Sequence, residues 1–262
     1  MYFIESDTIP YDFHDGFAQT ELFVGSHPAV HPFKCVLKAG STFRPTLYAN
    51  KYQVFAFIDG IGAVLSPSCV YAIKEESVYM PNFDKEGVSI HAATDLTFIR
   101  FIVDFSDVDY VAMESFRMIY PYFMNFSECP AYAQDCKGGL THSRMLIQPG
   151  RCGRIFMGFC DTDVSDEIEG TAEYGHPAVD QWNCILKGSD IQATIGEQQF
   201  KQRFGDFTYI VAGEDHACIC MPGDRCRYFW LEWYTDPDSV SSRLTPQQWR
   251  DTLRNVARVN SI

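Results

Sequence analysis

The chain has 262 residues, 46% of them hydrophobic, 15% aromatic and 21% charged, a composition that excludes disorder as the main state and accommodates one large domain or two of ordinary size. Its 21 Lys and Arg stand against 34 Asp and Glu, and the formal charge of −13 repels phosphate backbones and anionic lipid alike, so neither nucleic acid nor a membrane is an expected partner. There is no run of 18 apolar residues, and the start Met1-Tyr-Phe-Ile-Glu-Ser-Asp7 lacks the basic and apolar regions of a signal peptide, which gives the expectation of a cytoplasmic protein.

In chain order, short aromatic and β-branched segments alternate with turn residues. Tyr52–Ile58 precedes Asp59-Gly60, Asp95–Val103 forms a second apolar run, and Phe207–Val211 precedes Ala212-Gly213. This pattern predicts an all-β fold. Helices are expected only at Asp107–Tyr120, which stops at Pro121, and after Thr245-Pro246, where Trp249, Leu253 and Val256 follow; both are expected at the periphery. Residues 125–141, rich in Cys, Pro, Ala, Asp and Gly, show no period, and the division expected is 1–125, a linker at 126–141, and 142–262. The halves echo each other: Tyr48, Gln53 and Gly60 in the first have the spacing of His176, Gln181 and Gly188 in the second. An internal duplication is expected.

The ten cysteines, from Cys35 to Cys226, form no CxxC pair and no short-spaced framework, and are read as free thiols filling the core. His27 and His31 lie in the proline-bounded segment Ser26-His-Pro-Ala-Val-His-Pro32 and are read as strand or loop residues.

The second half resembles the cupin superfamily on two motifs. From His176 through Gln181 to Gly188 the chain keeps the spacing H(x)4E(x)6G of the first motif, and Gly205 to His216 matches both glycines and the histidine of the second. Tyr174 stands in place of the first histidine, Gln181 in place of the glutamate, Val211 in place of the second motif's proline and Cys220 in place of its asparagine. The first half departs further, with Thr46, Tyr48 and Gln53 at the motif-one positions and His91 as the nearest motif-two histidine. The resemblance implies an all-β chain of two double-stranded β-helix (jelly-roll) barrels, the first degenerate. In length and layout it is similar to the ureidoglycine aminohydrolases, manganese bicupins with their site in the second barrel, though their ligand pattern is not reproduced.

The resemblance implies that motif residues point into the barrel, where His176, His216 and Gln181 are the candidate ligands of a divalent transition metal: Mn, Fe, Ni, Co or Zn. Tyr174 shares strand parity with His176 and is expected to face inward as a proton carrier. Glu173 has the opposite parity and is a candidate only on a bulged strand. Two imidazoles and an amide carry no charge, so the expected completing anion is the Tyr174 phenolate, the Glu173 or Asp180 carboxylate, or the substrate itself, for which Asn183 and Arg227 are the candidate contacts. Cys218 and Cys220 share parity with His216 and are read as small interior residues. Trp182, Trp230 and Trp233 are read as packing residues.

The expected function is a metal-dependent enzyme of non-oxidative type (lyase, isomerase or amidohydrolase) acting on a small polar carboxylate, ureido acid or sugar acid in the second barrel. The competing expectation is a metal-free small-molecule binder or sensor; the absence of a helix-turn-helix argues against a self-contained transcription factor. Two jelly rolls with exposed sheets also give the expectation of a homodimer.

Overall fold

A computed structural model describes residues 2–82, 85–107, 109, 119–132 and 134–235, with the side chains of 149–151 excepted. Of the first expected helix only residues 107, 109, 119 and 120 are described, and the second lies wholly outside the described residues. Within them the chain is built from antiparallel strands and two short 3-10 turns, Ser6–Thr8 and Phe126–Glu128. No helix among them is long and apolar enough to cross a membrane.

The chain forms two units, each a pair of sheets closed around its own core. In the unit of residues 8–107 and 119–128, a six-stranded sheet runs in the order Tyr122–Asn125, Ser77–Met80, Lys51–Asp59, Leu96–Asp104, Val30–Leu37, Phe17–Glu21. A four-stranded sheet runs Thr42–Phe43, Ser89–Ala92, Gly62–Leu65, Val70–Ile73. Alternation sends Phe55, Phe57, Phe98 and Cys35 from the first sheet, and Val64, Ile73 and Ile90 from the second, into one buried cluster. The Lys51–Asp59 strand is central and buried along nearly its whole length, which is why its sequence is an almost unbroken apolar run.

The other unit, residues 2–7 and 129–235, repeats this plan. Its large sheet runs Phe3–Ile4, Phe207–Ile210, Val179–Ile185, Arg227–Tyr234, Ile155–Thr162, Thr141–Cys152, Ala131–Tyr132, and its small sheet Glu169–Glu173, His216–Cys220, Ile191–Ile195, Gln198–Gln202. Gln53 and Gln181 occupy equivalent strands, and each strand leads to a turn glycine, Gly60 and Gly188, with φ of 96° and 75°. That region admits few side chains other than glycine's hydrogen, which explains the echo in spacing. Phe156, Trp230, Tyr228, Cys160, Cys218, Cys220 and Cys226 lie in the core cluster between these two sheets. All ten cysteines are free and eight are buried.

The division differs from the expected one at two places. Phe3–Ile4 do not stay with the first barrel but pair antiparallel with Phe207 and Thr208 on the edge of the second. Residues 129–141, expected as a linker, are part of the second unit: Ala131–Tyr132 pair with Ser143 and Arg144, and Lys137 bridges to Thr171. Composition does not reveal such pairing, because segments of one or two bridged residues are too short to carry a period.

Candidate metal centre

The small sheet of the second barrel positions the site. In the His216–Cys220 strand, His216, Cys218 and Cys220 are buried in alternation, with Cys218 and Cys220 in the core cluster, so His216 enters the barrel at the strand's start. Its register partner across the sheet is Glu173, the last residue of Glu169–Glu173, on the same side as Thr171, whose hydroxyl meets the Tyr228 phenol inside the barrel at 3.1 Å. Glu173 therefore faces inward on a regular strand, and the bulge expected to be necessary is not. Tyr174 lies just beyond the strand end and is 90% exposed, so the inward orientation expected of it is corrected: strand parity does not extend past the last paired residue. The chain then turns at Gly175, whose amide donates to Asp215 Oδ1 at 2.7 Å and where an added Cβ would lie 2.1 Å from the Gly213 carbonyl oxygen. Only glycine permits that approach, and it brings His176 back over Glu173.

Three donor groups converge as a result. His176 Nε2 donates to Glu173 Oε2 at 2.8 Å, His216 Nε2 lies 4.0 Å from the same oxygen, and the imidazole centroids are 5.5 Å apart. The three ligand atoms lie within 4.8 Å of one another, the one such His/Cys/Asp/Glu group among the described residues. His216 Nδ1 donates to the Glu214 carbonyl at 3.1 Å. Burial holds the His216 pKa below the ordinary value, so the ring is neutral and Nε2 carries a lone pair. That nitrogen is buried and makes no hydrogen bond. A lone pair thus faces a carboxylate oxygen with no proton between them, an arrangement a cation relieves.

A fourth group was not anticipated from sequence. Lys137, only 3% exposed, places Nζ 2.5 Å from Glu173 Oε1. Its segment is threaded alongside the Glu169–Glu173 strand by Gly138 N to Gly170 O and Ala172 N to Cys136 O, at 2.9 and 3.0 Å. Burial alone would raise the Glu173 pKa, but the hydrogen bond from His176 and the Lys137 ammonium hold it well below the usual carboxylate range. Burial likewise disfavours the Lys137 ammonium, and the Glu173 carboxylate against it more than reverses that.

Of the other candidates, Gln181 is inside the barrel and buried; its Nε2 donates to Asn183 Oδ1 at 2.9 Å, while its Oε1 and the Asn183 Nδ2 make no hydrogen bond. No hydrogen bond joins Gln181 to Glu173, His176 or His216. Arg227 has the opposite parity to the core residues Tyr228 and Trp230, so it points away from the interior; its guanidinium lies against Asp161 at 3.3 Å and donates to the Lys187 carbonyl at 2.8 Å. In the first barrel His91 is exposed and meets Thr42 Oγ1 at 3.1 Å, away from the interior-facing Gln53. A groove of about 270 Å³, lined by Glu173, Tyr174, Thr194, Gly196, Asp215 and His216 with Ala172 and Ala217, abuts the strand ends that carry the cluster.

The pH dependence of stability in metal-free protein follows from these directions. His216 is neutral in the fold, so its contribution is full above the ordinary histidine value of 6.5 and declines as pH falls below it. Glu173 is depressed, so its contribution is full above the ordinary value of 4.5 and is lost as pH falls further. Melting temperature in EDTA should therefore fall steadily from pH 7 to pH 4; a melting temperature that rose over this range would contradict the assigned protonation states.

No protein-family model matches the chain, and comparison with curated proteins finds no relative. Solved structures do resemble it. A Pseudomonas aeruginosa protein described as glyoxylate-induced superposes with a TM-score of 0.71 at 12% identity, over 89% of each chain. A variant of Bacillus subtilis oxalate decarboxylase superposes with a TM-score of 0.64 at 11% identity, over 90% of this chain and 78% of that one. The Bacillus enzyme contains Mn(II) centres.

Proposed function

This chain folds as a two-domain cupin, and on that premise we propose that it is a metal-dependent enzyme of non-oxidative type, acting on a small polar carboxylate, ureido acid or sugar acid at the Glu173, His176 and His216 cluster of the second barrel. The observation that carries the proposal is the buried, unbonded His216 Nε2 facing the Glu173 carboxylate. Two imidazoles and one carboxylate form a ligand set suited to Mn, Fe, Co, Ni or Zn, and the Mn(II) centres of the structurally similar oxalate decarboxylase support this class of ion. Gln181 Oε1, also buried and unbonded, is the proposed reserve ligand from the facing sheet.

Bound there, a divalent ion would supply Lewis acidity. The rest falls to the chain. Lys137 neutralises Glu173, so the residues of the site sum to zero charge and select an anionic substrate to meet the ion's charge. His176, less buried than His216, is held on Glu173 by a short hydrogen bond in the metal-free protein, and it would give up that proton on binding an ion between the two. Asn183 Nδ2, buried and unbonded, is a proposed substrate donor, and Tyr174 is assigned to the exposed rim. Ten free thiols suit a reducing, cytoplasmic setting, and a homodimer remains part of the proposal.

A metal-free ligand-binding barrel is the second reading, favoured by one observation: Glu173 already receives both the Lys137 ammonium and the His176 proton. Elemental analysis of purified protein separates the two. Near-stoichiometric transition metal supports the enzyme; none after reconstitution under reducing conditions supports the binder.

A further inference from the structure

The first barrel contains a full positive charge that its own residues leave unmatched. Arg100 lies on the Leu96–Asp104 strand at the parity of Leu96 and Phe98, both in the buried core, so its side chain enters the barrel, where it is 4% exposed. Its Nε and Nη2 both donate to Gln53 Oε1, at 3.0 and 2.6 Å, and Nη1 donates to Gln19 Oε1 at 3.1 Å. The Tyr48 hydroxyl is a further partner, and Gln53 is itself fixed by donating Nε2 to the Thr46 carbonyl at 2.8 Å. The rings of Phe43 and Phe55 lie 5.5 and 5.9 Å from the guanidinium carbon.

Every one of these partners is formally neutral. Among the described residues no carboxylate pairs with Arg100, whereas the interior cation of the second barrel is matched by Glu173, and Arg225 is matched by Asp161. A guanidinium cannot shed its proton to escape burial, and a charge removed from water without an opposite charge is strongly unfavourable. Amide oxygens and ring faces offset part of that cost. Gln19 and Thr46 are exposed and Tyr48 is half-buried, so the residues that hold the guanidinium extend to the barrel surface.

We propose that the first barrel is a metal-independent binding site for a small carboxylate anion, held by the Arg100 fork against Gln53 and Gln19. With Nε and Nη2 on Gln53 and Nη1 on Gln19, a carboxylate would displace the Gln19 amide oxygen and take its two hydrogen bonds from the Nη1 and Nη2 end of the planar guanidinium, and the space between the Phe43 and Phe55 rings favours a short, flat ligand over a tetrahedral oxyanion. The motif-one positions of this barrel, which hold Thr46, Tyr48 and Gln53 instead of metal ligands, thereby acquire a role in anchoring the cation. This inference stands independently of the chemistry assigned to the second barrel.

The test is calorimetric titration of the full chain with formate and with acetate at constant ionic strength, beside acetamide, chloride and sulfate. Saturable binding of the carboxylates at millimolar concentration, with none for acetamide or chloride, is the expected result. Affinity should fall at least tenfold in Arg100→Met, which removes the charge, and in Arg100→Lys, which keeps the charge but loses the fork, while remaining unchanged in His176→Ala/His216→Ala. No saturable carboxylate binding to the wild type would overturn the proposal without recourse to any variant. So would tighter binding of sulfate than of acetate, or binding that disappears only in the double histidine variant.

Discussion

Replacing Lys137 by methionine should lower the stability of the second barrel by about 3–5 kcal/mol in metal-free protein, the loss typical when one member of a buried ion pair is removed. The two side chains are 3% and 11% exposed, so water cannot take over the role of the ammonium. Glu173 would be left with His176 as its hydrogen-bond donor and His216 as a neutral neighbour whose lone pair faces it. The same change has the opposite sign for metal. With the ammonium gone, the residues of the site sum to −1, and a divalent ion replaces the missing charge. Added Mn²⁺ should therefore recover much of the lost stability in Lys137→Met and stabilise it more than it stabilises the wild type. Urea denaturation with and without Mn²⁺ measures both effects. A loss below about 1 kcal/mol, the range of solvent-exposed pairs, would mean that Glu173 is compensated by water.

Deleting residues 2–7 should destabilise the second barrel by roughly 3–5 kcal/mol, taking about 1 kcal/mol for each hydrogen bond lost and the burial of one aromatic ring. The segment supplies the Phe3–Ile4 strand pairing, the stack of Phe3 on Phe200 at 4.5 Å, and the bonds Tyr209 N to Tyr2 O and Ser6 N to Asp206 Oδ1, at 2.9 and 2.8 Å. It also reaches towards the site: Tyr2 Oη donates to Glu214 Oε1 at 2.7 Å, and the Glu214 carbonyl accepts the Nδ1 proton that fixes the His216 tautomer. Removing it would turn Phe207–Ile210 into an open sheet edge, so the shortened protein should also aggregate more readily. A truncated chain as stable and as soluble as the full one would show that the pairing is dispensable.

The barrel architecture was legible because the central strands carry long apolar runs and their turns require glycine. Gln53-to-Gly60 and Gln181-to-Gly188 report the same strand and turn twice. His216 was legible for a related reason: its motif runs from the Phe207–Ile210 strand through the turn at Gly213, with φ of 91°, and ends on the first residue of the His216–Cys220 strand. The site failed to follow from spacing where the chain leaves regular structure. Alternation counted back from His176 put Tyr174 inside and Glu173 outside, but the strand ends at Glu173 and Gly175 folds the chain over, so His176 enters from a turn to which strand parity does not apply. Lys137 was illegible for another reason: its partner is 36 residues away and its own segment has a single bridge rather than a strand. Arg100 sat in plain view in an apolar run, at an interior parity; what sequence did not give was that its partners Gln19, Tyr48 and Gln53 are all neutral.

The central claim is that Glu173, His176 and His216 hold a metal, and elemental analysis of the purified wild type beside His176→Ala/His216→Ala tests it most directly. The account predicts about one transition-metal ion per chain in the wild type and its loss in a double variant that remains folded by circular dichroism. A wild type free of metal after reconstitution under reducing conditions, or a double variant that retains its metal in full, would contradict it.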